Sequence, residues 1–215
     1  DDHQAPPIAS GEHVSGGTGL LKAQAICPAW AYYQYRLGAR ALKQPIDGLE
    51  AAERGTLVHG VLEHLWRAPE LGNGLADLQS MSSQALQDIV LQAADKALAD
   101  FSAQQFEPLP AAFVALERER LARLVSAWLA VEAMRPRPFR VTACEQEQTV
   151  NIEGIAIRLV VDRIDTLEDG RLVLMDYKTG RKPDVKNWAD TRIIEPQLPV
   201  YAALVLSGGD VAAVC

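Results

Sequence analysis

Apolar residues recur at helical spacing through the first part of the chain and at alternating, strand-like spacing through the last part. Four helices are predicted between about residues 20 and 135. The first runs through LLKAQAICPAWAYYQYRLG and ends near Gly38. The second, LEAAERGTLVHGVLEHLWR, stops before Pro69. The third, SSQALQDIVLQAADKALADF, has Ser82 or Ser83 placed to cap it. The fourth, LPAAFVALERERLARLVSAWLAVEAMR, is ended by Pro136 and Pro138.

Then the pattern changes. PFRVTACEQEQTVNI, IAIRLVVDRIDTLE and RLVLMDYKTG are β-branched runs separated by turn signals at Glu153-Gly154 and Asp169-Gly170. A charged loop follows, then a helix in EPQLPVYAALVLSG and a strand start in VAAVC. The order β-β-β-α-β implies an α/β fold in which a helix from the first half covers the sheet's second face. The expected organisation is one domain over residues 20–215, mainly helical over 20–136 and β-rich over 137–215. Residues 1–19, DDHQAPPIASGEHVSGGTG, are polar and rich in Gly and Pro, and read as a disordered leader. A chain that starts without Met and stops at Cys215 inside a strand-like run reads as a module of a longer protein.

Charged residues interrupt the strand pattern. Along LVLMDYKTG, Leu172, Leu174, Asp176 and Lys178 share one face and Val173, Met175 and Tyr177 the other. A hairpin at Asp169-Gly170 brings Asp162 of the preceding strand beside Asp176. Two close carboxylates repel and raise each other's pKa unless a cation lies between them. Oxygen ligands of this kind suit Mg²⁺ or Mn²⁺. Lys178 is then a point charge available to water or to a phosphoryl group. A buried Asp–Lys pair, or charges at solvent-facing strand ends, would satisfy a single such position; the combination on one hairpin favours a site. Asp165 alternates away from Asp162 and is expected to pair with an Arg.

Composition sets bounds on this picture. The 215 residues are 48% hydrophobic, enough for one sizeable core, and no apolar run is long enough to span a bilayer as a helix. A net charge of −7 argues against a generally basic nucleic-acid binder, though not against a local basic site. Cys27, Cys144 and Cys215 are far apart with no CxxC, so neither a zinc site nor a disulfide framework is indicated. Scattered thiols suit a reducing, cytoplasmic setting.

Four pieces in order, GTLVHGVLEHLW, VDRID, DYKTG and QLPVY, resemble the PD-(D/E)XK nuclease superfamily. They are most similar to RecB-like nuclease domains of helicase–nuclease repair proteins and CRISPR-associated exonucleases. Val161 and Leu159 stand where that family often has Pro and Gly. The resemblance implies a restriction-endonuclease-like core, α-β-β-β-α-β with a mixed sheet, and a large N-terminal helical portion. It implies metal ligation by His59, Asp162 and Asp176, and catalysis by Asp162, Asp176 and Lys178. Gln197 and Tyr201, one helical turn apart, are implied to brace the site or contact DNA. Glu63 reads as an outer or solvated residue, and His64 points elsewhere. Some relatives carry an iron–sulfur cluster; Cys27 sits where its first Cys would, but this chain has no following trio, so the cluster is unsupported.

The loop KTGRKPDVKNWADTR adds Arg181, Lys182, Lys186 and Arg192 to Lys178, against Asp184 and Asp190. This local basic patch is expected to contact the DNA backbone through Arg181, Lys182 and Lys186. Trp188 is placed either to stack on a base or to anchor the loop. The implied activity is metal-dependent hydrolysis of DNA phosphodiesters, on single strands or duplex ends. The implied partner is a helicase-like remainder of the parent protein or a separate subunit. The alternatives are an inactive nuclease fold that grips DNA, and an RNA-directed or site-specific endonuclease of the same fold.

Overall fold

The computed structural model describes residues 9, 12–42, 48–180, 193–205 and 210–215. The chain enters through α1 (Gly17–Ile26), α2 (Pro28–Ala31) and a π-helical turn, Tyr32–Arg36. The single first helix expected from the periodicity is therefore broken. Pro28 is the reason: it offers no N–H and pushes the preceding residue out of the helical region, and Cys27 is extended at φ −158 and ψ 112.

Four helices follow: α3 (Ala51–Trp66), α4 (Leu75–Ser80), α5 (Ser83–Ala103) and α6 (Ala111–Glu132). Ser82 caps α5, its side chain accepting from the Ala85 N–H at 3.2 Å. The short α4 lies in a stretch with no expected helix; six residues are too few for a periodic pattern to show. The sheet consists of β1 (Phe139–Ile152), β2 (Ile155–Leu167), β3 (Leu172–Met175) and β4 (Val211–Val214), in that spatial order. The first two pairings are antiparallel and the last is parallel, so the sheet is mixed. Before β4 come α7 (Gln197–Val200) and a second π-helical turn, Tyr201–Val205.

Both predicted hairpins form. Ile152 pairs with Ile155 across a two-residue turn, with Glu153 at φ 50 and Gly154 at φ 85. β3 is shorter than DYKTG suggested and ends at Met175. Just beyond it the Asp176 N–H donates to the Cys215 carbonyl at 3.0 Å.

The sheet separates two hydrophobic clusters. One face packs on α3, α5 and α6 through Val141, Leu167, Val173 and Met175. Leu57, Val61 and Leu65 of α3 and Leu121, Val125 and Leu129 of α6 are fully buried there, each such side chain stabilising by about 1.5–3 kcal/mol. The other face, with Ile157, Leu159, Val161, Ile164 and Leu174, is covered by Leu20 and Leu21 of α1 and by Leu198 and Tyr201. The expected leader is thus partly structured: α1 begins at Gly17, His13 bridges to Ala156, and Val14 is buried. Small and polar residues conceal this from a composition reading.

Candidate active site

Strand register brings three carboxylates to one level of the sheet. Arg163 pairs with Met175, so the next step sets Asp162 across from Asp176, just past the end of β3. Cys144 pairs with Arg163 and Gln146 with Val161, which sets Glu145 across from Asp162 on the other side. Glu145 has φ 46, a left-handed backbone that is uncommon for a residue with a side chain. At the same level β2 loses its alternation: Val161 and Ile164 both pack in the second cluster. The irregularity on both strands is local and coincides with the acidic residues.

His59 approaches from α3. Its Nε2 lies 2.8 Å from the Tyr177 carbonyl oxygen. A carbonyl only accepts, so Nε2 carries the proton and the neutral ring keeps its lone pair on Nδ1. Nδ1 faces Asp162 Oδ1 at 3.6 Å and Glu145 Oε1 at 3.7 Å. The Tyr177 N–H donates to Asp162 Oδ2 at 2.6 Å. The main chain of Tyr177 therefore orients both the imidazole and the carboxylate. Its ring is held edge-on to His59 and to Trp128, at centroid distances of 5.8 and 5.5 Å. A histidine whose second nitrogen donates to a carbonyl is the usual arrangement behind a metal ligand.

Asp176 is buried with a different set of partners. Its Oδ1 accepts from Gln197 Nε2. Its Oδ2 has no hydrogen bond of ordinary geometry, but the Lys178 ammonium lies against it. Lys178 also donates to Gln197 Oε1 at 2.7 Å. Gln197 Nε2 reaches the Tyr201 hydroxyl oxygen at 3.0 Å, and that hydroxyl donates to the Val160 carbonyl.

The electrostatics follow from burial. Burial pushes the Asp162 carboxyl up to about 6; His59 pulls it back and Asp176 adds to the rise. For His59 burial works downward, but the nearby Glu145 and Asp162 carboxylates and the Tyr177 carbonyl outweigh it and leave the imidazole raised.

The residues expected from sequence thus stand as follows. His59, Asp162, Asp176, Lys178, Gln197 and Tyr201 come together at one end of the sheet. Among the described residues, the ligand atoms that lie within 4.8 Å of one another are those of His59, Asp162 and Glu145, with Asp176 engaged by Gln197 and Lys178. Glu145 is the residue that sequence reasoning misses. Its signal is the two-residue turn: counting back from Ile152 opposite Ile155 leads to Glu145 opposite Asp162. Asp165 faces the helices and accepts from Arg163 Nε and Arg135 Nη1, both at 2.6 Å. Glu63 pairs with Arg67 at 2.5 Å and His64 with Asp100 at 2.7 Å. Arg181, Lys182, Lys186, Trp188 and Arg192 lie outside the described residues.

A model of the PD-(D/E)XK nuclease superfamily matches residues 20–214, nearly the whole chain. The chain belongs to the PD-(D/E)XK nuclease superfamily. No curated protein matches it. Nucleases of this superfamily use divalent metals, and the donor set here fits one. Two buried carboxylates share a site, Asp176 Oδ2 is a buried acceptor without an ordinary hydrogen bond, and the Nδ1 lone pair of His59 points at Asp162 and Glu145. Oxygen-rich ligation with one imidazole suits a hard or borderline divalent ion.

Proposed function

We infer that this domain is a divalent-metal-dependent deoxyribonuclease. It hydrolyses DNA phosphodiesters as the exonuclease module of a larger repair or recombination protein, beside a helicase-like partner or segment. The observation that carries the reading is the row Glu145, Asp162 and Asp176 across three neighbouring strands, with His59 facing it.

His59, Glu145 and Asp162, with Asp176 beside them, are the residues that would hold Mg²⁺ or Mn²⁺. A divalent ion supplies Lewis acidity and charge neutralisation to a phosphoryl group. The chain's own contribution is positioning. Lys178 is fixed between Asp176 and Gln197, where its ammonium donates to a phosphoryl oxygen as negative charge grows on it. Gln197 and Tyr201 hold the Asp176 carboxylate in one rotamer, and Tyr177 holds His59 and Asp162. No long rearrangement is needed to assemble these groups, which is the condition for electrostatic stabilisation to lower a barrier.

The test is incubation with end-labelled single-stranded and duplex DNA in Mg²⁺, Mn²⁺ or EDTA. Cleavage from an end with either ion, none in EDTA, and none by Asp176→Ala is the expected result. Full cleavage in EDTA would sink the metal dependence, and internal cuts alone would sink the exonuclease assignment.

A further inference from the structure

A recess opens on the helix side of the same strand end. Its volume is about 710 Å³, within the roughly 300–1,000 Å³ of small-molecule sites. Leu62 of α3, Leu124 and Trp128 of α6, Met175 and the Tyr177 ring form apolar walls. Asp176 and Lys178 stand at its edge, so it adjoins the carboxylate centre directly. The chemistry derived above uses that edge and leaves the recess without a role.

We propose that this cavity receives an unpaired nucleobase of the substrate, on a nucleotide whose phosphate lies at Lys178. The placement of the phosphate rests on the nuclease reading above; the character of the cavity stands on its own. Its walls are aromatic and aliphatic, which suits the apolar faces of a base. Of the acidic groups in its lining, Glu132 is already paired with Arg163 at 2.9 Å and Arg135 at 3.3 Å, and Asp176 with Lys178. The interior therefore accepts a neutral planar group rather than an ion. Arg135, also in the lining, is engaged by Glu132 and Asp165, which leaves the more exposed Lys178 as the cation for a phosphate attached to that group. A base in this recess has left its stack and its partner, so the strand is single or frayed at that nucleotide. The cavity thus selects single strands and melted ends over intact duplex.

The test compares two single-stranded oligonucleotides of equal length and charge, one with its bases and one abasic. Each is titrated against the full chain by fluorescence anisotropy with Ca²⁺ as the divalent ion, so that binding is read without relying on cleavage. The abasic strand should bind about tenfold more weakly or worse, in line with the loss of one stacked base. Leu124→Trp fills the rim from a half-exposed position. It should lower the affinity for the intact strand to that of the abasic one and leave the abasic affinity unchanged, whereas Leu124→Ala, which keeps the recess open, should retain the preference. Equal binding of both strands by the parent protein overturns the proposal and leaves the recess to an apolar protein segment. A preference that survives Leu124→Trp also overturns it, because the base is then held elsewhere. A protein that distinguishes the strands but cuts neither keeps the cavity assignment and loses the nuclease reading; one that cuts but binds both equally does the reverse.

Discussion

Lys178 touches Asp176 Oδ2 and Gln197 Oε1, and its side chain is 41% exposed. That exposure separates two roles for the residue. A lysine needed only to neutralise a buried carboxylate would, on removal, cost about 3–5 kcal/mol; one reached by solvent costs less, because water shares the charge. Lys178→Ala should therefore leave the melting temperature nearly unchanged with Mn²⁺ present while single-turnover cleavage falls on the order of a hundredfold. A variant that cleaves at the parent rate removes Lys178 from the reaction. Asp162, Asp176 and Lys178 are legible in the sequence because each breaks an apolar alternation. Glu145 is not singled out by its own stretch, because strand alternation in CEQEQ offers Glu147 equally well. Only the register, together with a backbone angle that residue type does not encode, singles it out.

At the scale of elements, the contact between α3 and the segment after β3 sets the distance from His59 to the carboxylates. Gly55 makes the approach possible: a Cβ there would lie 2.8 Å from Thr179 Oγ1. Gly55→Ala gains helix propensity worth up to about 1 kcal/mol, yet it displaces Thr179 and with it the turn that carries Tyr177 and Lys178. The expected outcome is unchanged or slightly higher thermal stability with Mn²⁺ affinity at least several-fold weaker, and recovery of that affinity on adding Thr179→Ala. Calorimetric titration of the single and double variants checks this; equal Mn²⁺ affinity in Gly55→Ala and parent would show that the close approach is immaterial. The long helices and both hairpins are legible because amphipathic period, a Ser cap and Gly turns agree with one another. The break at Cys27 is written in Pro28 but is masked by the apolar periodicity on either side. The early end of β3 is not written locally at all, since it depends on where β2 and β4 run.

For the whole molecule, the sheet divides two cores, and the acidic row sits where both reach the end of β3. Charge concentrated there couples stability to pH. The Asp162 carboxyl is raised from 3.8 to about 6, so the folded state holds its proton more tightly, and stability present at low pH is lost as pH rises through about 6. His59 is also raised, from 6.5; its contribution, full below that value, is lost as pH rises through the higher folded one. The two act in the same direction. Metal-free protein should melt lower at about pH 7.5 than at about pH 5, with Asp162 accounting for on the order of 1 kcal/mol between those two values. Mn²⁺ at a hundredfold over its Kd should return about 2.7 kcal/mol at the higher pH. Asp162→Asn should raise the melting temperature in EDTA at about pH 7.5 and abolish the Mn²⁺ gain. A gain that persists in that variant places the ion elsewhere.

The row of carboxylates has a further consequence, for the order in which a chain becomes dangerous. His59, Glu145, Asp162, Asp176 and Gln197 come from five successive parts of the sequence. A ribosome delivers them one after another, and segments fold as they emerge. On the proposed nuclease reading, a nascent chain that has made α3 and β1 has His59 and Glu145 but not yet Lys178. One that has made β3 still lacks the glutamine that holds Asp176 and Lys178 in place. On that reading no such fragment carries the complete site, and an unfinished or misregistered copy would spare nucleic acid until α7 has docked.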